Sequence, residues 1–384
     1  MKILQCNDSY YPIVDGVTLT VRNYTYWFNQ KYGKATLLTS EYPNYTEKDE
    51  FETFRTKAII LPKSVLAWPA PLPFFKKHDK KILKRKKFDL VHTHSPFTIG
   101  KLGLRIAKRQ KIPVITTFHS KYYQDFLNIT HSKFISQILL KYVIHYYNKV
   151  DYVWTVNKIT ANTLREYGYK GNIKIMPNGV DFKAPVNKHE LREKVTTKYS
   201  LNKDDDILLF VGQHNWKKNI RLIFEALAIY KKSHKNFILF MVGTGEHEKL
   251  IWKLAKDLDI DEKVIFTGKI LDREELIGLY CTADILIFPS MYDTAGLVVK
   301  EAAICKTPSI VVKNSGASEG ITHNVNGFLC EESAESLSKV ITQALLDKDN
   351  LKEVSINAAE TIPISWEKVV GRAYKEYEKI RSNK

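Results

Sequence analysis

Residues 288–302 read FPSMYDTAGLVVKEA, and they join a short apolar run to a helical pattern through a polar loop. The run that leads into this segment, Asp284–Phe288, has the length and composition of a buried strand. A loop with a carboxylate at Asp293 follows, and a helix is predicted to begin near Gly296. Strand, loop and helix in this order are the repeating unit of doubly wound parallel sheets, so the segment predicts an α/β fold.

The same alternation extends outward from this segment in two series. The first predicts strands at Lys2–Cys6, Ala35–Thr39, Ala58–Leu61, Asp89–Thr93, Val114–Phe118, Tyr152–Val156 and Ile173–Met176, and helices at Thr18–Tyr32, Ile99–Arg109, Lys133–Asn148 and Lys158–Tyr167. The second predicts strands at Asp206–Val211, Phe237–Val242, Val264–Thr267, Asp284–Phe288 and Ser309–Val312, each followed by a helix. Between the two lies a turn signal, Pro177–Asp181, and a polar, lysine-rich segment that continues to about Asp205. We therefore expect two doubly wound Rossmann-like domains that face each other across a cleft, at residues 1–183 and 184–366.

The charge of the chain is unevenly distributed. Its 384 residues carry a formal net charge of +17, with 59 Lys and Arg against 42 Asp and Glu. Residues 1–200 hold 34 of the basic residues and 15 of the acidic ones, so the second part of the chain is nearly neutral. At 44% hydrophobic and 26% charged residues, the composition excludes a disordered chain. The excess of basic residues in the first part indicates an anionic partner for that part, such as nucleic acid, acidic lipid or a phosphorylated substrate.

One basic segment of the first part has the composition of a membrane-surface helix. Aromatic residues at Trp68, Phe74 and Phe75 lead into a run of cations at Lys76, Lys77, Lys80, Lys81, Lys84 and Arg85. Apolar and cationic groups side by side favour binding to an anionic bilayer, although an ordinary solvated helix has the same pattern. Neither a signal peptide nor an apolar stretch long enough to span a membrane is visible in the sequence. We expect a cytoplasmic protein that binds peripherally to the inner face of the cell membrane.

Two carboxylates and a glycine in the opening segment are candidate binding residues. Gly296 at the start of a helix lets backbone approach a ligand and leaves N–H groups directed outward, a combination that binds a diphosphate. Asp293 in the preceding loop is placed to accept sugar hydroxyls, and Glu301 to accept a ribose diol. The alternative interpretation makes Asp293 an N-cap and Glu301 a solvated helix residue. The turn Gly243–Gly245 lacks the third glycine of a dinucleotide fingerprint, and the sequence shows no metal-ligand spacing.

Other predicted strand ends carry further candidates. Lys218 follows the strand that ends near Gly212, where a cation suits a bound anion. Gly16 lies in a loop that joins a strand to a helix, and either a donor phosphate or a plain turn explains a glycine there. His94 and His119 each end a strand, a position where an imidazole meets a substrate hydroxyl or serves a structural role.

Taken together in chain order, these segments resemble the GT-B glycosyltransferases of family four, which are retaining enzymes that use sugar nucleotides. The resemblance covers nearly the whole chain. It rests on the Gly16 loop, the His94 and His119 strand ends, the Pro177–Asp181 turn, Val211–Gly212 with Lys218, the Gly243–Gly245 turn, Phe266–Gly268 and the span from Asp293 to Glu301. It implies that the second domain holds the nucleotide diphosphate sugar and the first the acceptor, and that a C-terminal helix at 367–384 crosses back to the first domain.

The resemblance also implies a role for each matching residue. Lys218 neutralises the donor diphosphate, the backbone near Ile270 contacts the base, and Glu301 binds the ribose. Asp293 and His119 match the family's catalytic positions, while His94 lies on the acceptor side of the cleft. The full set of implied donor-binding residues is Gly16, Lys218, Ile270, Gly296, Leu297, Val298 and Glu301.

Three positions depart from the residues that are usual in the family. Asp293 stands where Glu is usual and is one methylene shorter. Gln213 replaces a diphosphate-binding Arg, and Lys306 replaces a Gly that closes a helix. The Asp293 departure shortens the reach of the carboxylate toward the sugar. The Gln213 departure leaves Lys218 without the Arg that would assist it at the diphosphate.

The function implied by the resemblance is transfer of a hexose from UDP-glucose or a similar donor, with retention and without a metal or other cofactor. Ser95–Phe97 and His119–Tyr122 look most like the membrane-associated enzymes that glycosylate diacylglycerol, so the expected acceptor is a hydroxyl of such a membrane lipid. An alternative acceptor is a soluble or polyprenyl-linked glycan of a cell-surface or capsular polysaccharide. A basic nucleic-acid-binding protein is a further alternative, but it leaves the second domain unexplained and no binding motif supports it. The expected partners are therefore a nucleotide sugar, an anionic membrane and a lipid acceptor, without nucleic acid.

Overall fold

The chain forms two compact units. The computed structural model describes residues 1–42, 45–46, 48–60, 69–71, 82–83, 85–180, 184–234 and 236–382. Unit 1 comprises Met1–Asp181 and Ser365–Lys384, and unit 2 comprises Phe182–Ile364. Each boundary lies two residues from the one that the sequence suggested. The two hydrophobic cores are separate in sequence, since one large buried cluster draws all its members from unit 2 and two others draw theirs from unit 1.

Unit 1 is built on a parallel sheet of seven strands in the order β3-β2-β1-β6-β7-β8-β9. Its strands are β1 (Lys2–Cys6), β2 (Lys34–Ser40), β3 (Thr53–Thr56), β6 (Leu90–Thr93), β7 (Val114–Phe118), β8 (Tyr152–Thr155) and β9 (Ile173–Ile175). β4 (Ala58–Ile60) pairs with β5 (Pro69–Pro71) in a separate antiparallel ribbon. The predicted strand at Ala58–Leu61 is therefore not part of the main sheet, whose edge is formed by β3.

The helices of unit 1 alternate with its strands. They are α1 (Gly16–Lys31), α2 (Thr98–Gln110), α3 (Tyr122–Thr130), α4 (Lys133–Tyr147) and α5 (Lys158–Glu166). α1 begins directly after Asp15, whose side chain caps the helix by accepting a hydrogen bond from the Thr18 N–H at 2.7 Å. α3 was missing from the sequence prediction; it is only nine residues long, and Tyr122 alone among them is buried.

Unit 2 is built on a parallel sheet of six strands in the order β12-β11-β10-β13-β14-β15. Its strands are β10 (Asp206–Val211), β11 (Phe237–Val242), β12 (Val264–Gly268), β13 (Ile285–Ile287), β14 (Ser309–Val312) and β15 (Phe328–Cys330). The helices are α6 (Lys188–Lys198), α7 (Ile220–Tyr230), α8 (Glu248–Asp257), α9 (Arg273–Thr282), α10 (Leu297–Ile304), α11 (Ala334–Leu346) and α12 (Lys348–Thr361). The central strands are apolar on both faces, as a sheet covered by helices on both sides requires.

One helix of unit 2 lies in a segment that the sequence indicated only as a polar linker. α6 buries Leu191 and Val195, which are four residues apart and therefore on one face. A Cβ placed on Gly278 of α9 would lie 2.9 Å from the Val195 side chain, so the two helices are in close contact. Two buried residues suffice to dock this helix, and they are too few to stand out among its lysines.

The last helix, α13 (Trp366–Ser382), belongs to unit 1. It buries Val369 and Tyr377, and the Tyr377 ring stacks on Trp154 with centroids 5.4 Å apart. The Tyr377 hydroxyl lies 2.7 Å from Nδ1 of His92, a buried residue of β6. α13 thus packs against the strands that carry the polar residues of unit 1.

In each sheet, successive strands are added first toward one edge and then toward the other, so the strand order has one switch point. In unit 2 this point lies between β10 and β13, which are neighbours in the sheet but distant in sequence. In unit 1 it lies between β1 and β6. In doubly wound sheets, the loops at the carboxyl ends of such strand pairs diverge and leave a crevice in which ligands bind. These two strand ends therefore position the candidate sites.

Candidate functional site

The crevice of unit 2 contains an ion pair between two residues predicted as site residues. Lys218 follows β10 and Asp293 follows β13. The Lys218 ammonium lies 2.6 Å from Oδ1 and 2.8 Å from Oδ2 of Asp293. Ser290 supports the pair, because its hydroxyl donates to Asp293 Oδ2 at 2.5 Å. Since only 15% of the Lys218 side chain and 24% of the Asp293 side chain are exposed, solvent screens this pair less than a surface pair.

The backbone around Lys218 is shaped to direct the lysine at this crevice. Trp216–Lys218 is a single 3₁₀ turn, and Asn219 ends it with φ of 58°. Asn adopts this left-handed conformation more readily than most residues, and the chain then continues directly into α7. The sequence WKKN therefore fixes the lysine between the end of β10 and the start of a buried helix.

The loop from Asp293 to Gly296 packs closely on a neighbouring 3₁₀ turn, Gly316–Ser318. A Cβ on Gly316 would lie 2.3 Å from the carbonyl oxygen of Asp293, and one on Gly296 would lie 2.8 Å from Cβ of Ala317. Gly296 has φ of 51° and is itself the N-cap of α10. The interpretation of Asp293 as an N-cap is therefore wrong, because its carboxylate binds Lys218 and Ser290 instead. The amides of Leu297 and Val298 form the first turn of α10, where backbone N–H groups suit an anion.

Glu301 lies about one turn into helix α10 and is held by a buried tyrosine. The Tyr280 hydroxyl donates to Glu301 Oε2 at 2.8 Å. Burial raises the pKa of Tyr280 well above its ordinary value, and the charge of Glu301 raises it further. The hydroxyl therefore stays protonated and orients the carboxylate, which is partly buried rather than fully solvated. Beside it, burial lowers the pKa of Lys300 to about 8 against the opposing effect of Glu319.

The remaining unit 2 candidates lie at the neighbouring strand ends. Gly243, with φ of 129°, and Gly245 form the turn between β11 and α8, and added Cβ atoms would lie 2.0 Å from the Gly212 carbonyl oxygen and 2.3 Å from that of His214. This confirms the interpretation of Gly243–Gly245 as a tight strand-to-helix turn. Gln213 is exposed and its amide oxygen accepts from Asn215 Nδ2 at 3.2 Å. Ile270 follows β12, is partly buried and packs against the core of unit 2.

In unit 1, the two histidines predicted at strand ends are hydrogen-bonded to each other. His94 follows β6 and His119 follows β7, and both are buried. Nδ1 of His94 lies 3.0 Å from Nε2 of His119, while Nε2 of His94 lies 2.9 Å from the amide oxygen of Gln5 in β1. Because a carbonyl oxygen only accepts, His94 donates from Nε2 and accepts at Nδ1 from His119. This order makes Nδ1 of His119 its unprotonated, accepting nitrogen.

A third buried histidine adjoins this pair. His92 in β6 has its Nδ1 2.7 Å from the Tyr377 hydroxyl and its Nε2 2.7 Å from Thr117 Oγ1. Burial lowers the pKa of His119 to about 3 and lowers those of His92 and His94 well below the ordinary value. Mutual repulsion between the imidazoles adds to the shift for His92 and His94. All three rings are neutral at pH 7, so they act as hydrogen-bond partners and not as charges.

Gly16 and the basic segment complete the predicted set. Gly16 is the first residue of α1 and is exposed. Arg85 is also exposed. The other residues of the predicted membrane segment lie outside the described residues, namely Trp68, Phe74, Phe75, Lys76, Lys77, Lys80, Lys81 and Lys84.

Among the residues that the structure describes, no group of three or more His, Cys, Asp or Glu side chains is arranged to hold a metal ion. Within the same ranges, no helix combines the length and the apolar character that are needed to cross a membrane.

Three supporting residues were missed by the sequence analysis. Gln5 breaks the apolar pattern of a buried strand, and a buried polar side chain in such a strand signals a hydrogen-bond partner. Ser290 lies two residues beyond the predicted end of a strand at Phe288, close to the strand-end positions at which the other candidates were found. Tyr280 gave no signal, because its contact with Glu301 arises only from the packing of α9 beside α10.

Two protein-family models match the chain. Glycosyltransferase Family 4 matches residues 14–184, and Glycosyl transferases group 1 matches residues 192–361. An alpha-monoglucosyldiacylglycerol synthase of Streptococcus pneumoniae is 27% identical over 373 residues, which are 93% of this chain and 81% of that protein. The protein of the same name from Acholeplasma laidlawii is 25% identical over 361 residues, covering 89% of this chain and 87% of that protein.

The fold is also found in solved structures. Anabaena HepE in complex with UDP matches with a TM-score of 0.78 at 18% identity and covers 99% of this chain and 100% of its own. Its complex with UDP-glucose matches with a TM-score of 0.74 at 18% identity and covers both chains in full. The two parallel-sheet units therefore define the GT-B class of fold. The chain belongs to the family 4 and group 1 glycosyltransferases, which confirms the resemblance read from its sequence.

Proposed function

We propose that this glycosyltransferase moves a hexose from UDP-glucose or a similar donor to a hydroxyl of a membrane lipid such as diacylglycerol, with retention and without a metal or other cofactor. The observation that carries the donor side is the Lys218–Asp293 pair in the crevice of unit 2. The donor class is supported by HepE, which was solved with UDP-glucose, and the lipid acceptor by the names of the two similar synthases. We further propose that the protein works peripherally at the inner face of the cell membrane.

At the donor site, a diphosphate competes with Asp293 for the ammonium of Lys218. Both oxygens of Asp293 now accept from Lys218, so the cation is held within the crevice before the donor arrives. The amides of Gly296, Leu297 and Val298 offer donors to the same phosphate oxygens. Once the diphosphate binds the Lys218 ammonium, Asp293 keeps its hydrogen bond from Ser290. The carboxylate lone pairs that had faced Lys218 can then accept hydrogen bonds from the hydroxyls of the sugar.

The nucleoside is recognised by the elements next to this crevice. The Tyr280 hydroxyl holds one oxygen of Glu301 and leaves the carboxylate further acceptor capacity for a ribose diol. The loop after β12, at Ile270, offers backbone groups to the base. In unit 1, neutral His119 serves as a hydrogen-bond partner for a substrate hydroxyl, and His94 holds it in place.

The chemistry follows from charge stabilisation and positioning. The bond between the anomeric carbon and the diphosphate breaks, a bond to the acceptor oxygen forms on the same face of the sugar, and the proton of the acceptor hydroxyl passes to the leaving diphosphate oxygen. Lys218 and the α10 amides stabilise the negative charge that develops on the leaving diphosphate. Holding the acceptor hydroxyl beside the anomeric carbon lowers the entropic part of the barrier.

Removal of Lys218 or Glu301 tests the donor assignment. We expect Lys218→Ala and Glu301→Ala each to lower the transfer rate roughly 100-fold or more, since each deletes a group that binds the donor or its leaving charge. The measurement is transfer of label from UDP-[¹⁴C]glucose to lipid in vesicles that contain diacylglycerol. Lys217→Ala is the matched control, because it removes the adjacent, exposed lysine.

Full activity in both variants would contradict the assignment of the donor site. The thermal unfolding midpoint of each variant shows that loss of activity is not loss of fold. The acceptor is tested separately with the unaltered protein, supplied with diacylglycerol, polyprenyl-linked glycans or soluble glycans in turn. Transfer to a glycan acceptor without transfer to diacylglycerol would replace the lipid acceptor in this proposal.

A further inference from the structure

One helix of unit 1 exposes large apolar side chains that the fold does not use. On α4, Phe134 is 75% exposed, Ile135 45%, Ile138 52% and Tyr142 49%. We name these four residues the α4 face. Exposed apolar residues that occur singly are common, but a contiguous group of large ones marks a surface that meets a partner.

The spacing of these residues places them together on the outer side of the helix. Phe134, Ile138 and Tyr142 are four residues apart, so they follow one another along one face. The opposite face supplies Leu140, Val143 and other residues to the core of unit 1. α4 is therefore apolar on both sides, although only one side is needed to hold the helix in the unit.

The chain around the α4 face is strongly cationic. Between Asp89 and Asp151 the sequence has one acidic residue, Asp125, against nine basic ones, which are Lys101, Arg105, Lys108, Arg109, Lys111, Lys121, Lys133, Lys141 and Lys149. The ammonium of Lys101 lies 3.3 Å from the centroid of the Tyr142 ring, so a cation directly adjoins the apolar face. Burial is the main cause that lowers the pKa of Lys101, and the charges of Arg105 and Lys149 lower it further. These three cations therefore lie near one another.

We propose that the α4 face is a docking surface that inserts into the headgroup region of an anionic bilayer. An apolar centre beside a cationic border matches the boundary between anionic headgroups and acyl chains. A second copy of this chain matches it poorly, because the same cations would face each other. This inference rests on the proposed function at a membrane. Vesicle binding is nevertheless measurable without any sugar transfer. The surface lies apart in sequence from the predicted segment 68–85.

Sedimentation with vesicles tests the surface directly. The probes are vesicles of phosphatidylglycerol and vesicles of phosphatidylcholine, with the full-length protein and no nucleotide sugar. We expect the unaltered protein to bind the anionic vesicles, and the double variant Phe134→Ser/Ile138→Ser to bind them about tenfold less or weaker still. The matched control is Leu271→Ser/Leu346→Ser, which removes two exposed apolar residues from unit 2 (84% and 70% exposed) and is expected to bind within about twofold of the unaltered protein.

Insertion itself is measured with a fluorophore on the face. All four native cysteines are buried, so Phe134→Cys provides a single accessible thiol for an environment-sensitive dye. We expect blue-shifted emission and quenching by spin-labelled lipid on anionic vesicles, and neither effect for dye on Leu271→Cys in unit 2.

The outcomes separate this proposal from others. Equal vesicle binding by the α4 variant and the unaltered protein, or the absence of a spectral shift at Phe134→Cys, would overturn it. Dimers that dissociate in the α4 variant while vesicle binding persists would assign the face to self-association instead. Vesicle binding without transfer to any lipid acceptor would leave the docking surface intact and refute only the proposed acceptor.

Discussion

At the scale of single residues, the buried histidines of unit 1 make its stability depend on pH. His119 is 4% exposed and burial lowers its pKa to about 3, against an ordinary value of about 6.5. Below about pH 6.5 the unfolded chain takes up a proton at this residue and the folded unit does not. The contribution of His119 to stability is therefore complete above about pH 7 and is lost progressively as the pH falls toward 3.

The variant His119→Asn isolates this effect. Lowering the pH from about 7.5 to about 5.5 is expected to reduce the free energy of unfolding of the unaltered protein by about 1.4 kcal/mol more than that of the variant. The measurement is urea denaturation at both pH values. Buried carboxyls such as Asp8 and Asp15, whose pKa values burial raises, act in the opposite direction but equally in both proteins.

An equal loss in the two proteins would show that His119 is protonated in the folded state. Its hydrogen bond to His94 would keep its direction, since a protonated imidazole donates from both nitrogens, but Nδ1 of His119 would become a donor as well. The order of donors from His119 through His94 to Gln5 would stand, but this outcome would remove the accepting nitrogen assigned to His119.

The sequence predicted the position of these residues better than their partners. His94, His119, Lys218 and Asp293 were found because strand ends of parallel sheets meet at one edge. What the sequence did not show is that Lys218 and Asp293 bind each other, since strand order depends on packing between distant segments. Local pattern therefore locates candidate residues, and topology decides which of them are in contact.

At the scale of elements, the start of α10 depends on two close backbone approaches. Gly296→Ala places a side chain on a residue with φ of 51° and 2.8 Å from Cβ of Ala317. We expect a loss of about 1 kcal/mol in stability from the backbone conformation alone. We also expect weaker UDP binding, roughly tenfold, because the contact displaces the amides of the first turn. Calorimetric titration with UDP measures the affinity.

Gly320→Ala is the control for backbone strain. Gly320 is in the same unit and has φ of 87°, but an added Cβ there meets nothing within 4 Å. We expect a similar loss of stability and unchanged affinity for UDP. If both variants bind UDP like the unaltered protein, the N-terminus of α10 does not contact the nucleotide.

Elements were predictable where burial imposed a period on the sequence. Strands β10, β11 and β14 have the predicted bounds, because each is an apolar run preceded by at most one polar residue. β3 was missed because it is a four-residue edge strand with alternating burial. Short strands at the edge of a sheet bury too few apolar side chains to leave a clear periodic pattern in the sequence.

At the scale of the whole molecule, the net charge divides along the structural units. Unit 1 contains 35 Lys and Arg against 16 Asp and Glu, and unit 2 contains 24 against 26. Unit 1 therefore carries +19 and unit 2 carries −2. Because the proposed donor crevice lies in the nearly neutral unit, binding of a diphosphate does not account for the excess of basic residues in unit 1. The cations of unit 1 match an extended anionic surface better than a small ligand.

The location of charge, rather than its total, is the property that vesicle binding should follow. Lys141→Glu/Lys149→Glu in unit 1 and Lys339→Glu/Lys352→Glu in unit 2 each change four exposed charge units of the total of +17. Each basic residue near an anionic membrane contributes about 1 kcal/mol, so the unit 1 variant is expected to bind phosphatidylglycerol vesicles at least about tenfold less. The unit 2 variant is expected to bind within about threefold of the unaltered protein, and both variants to keep their affinity for UDP. Equal losses in the two variants would mean that vesicle binding responds to net charge alone, and the assignment of the membrane surface to unit 1 would fail.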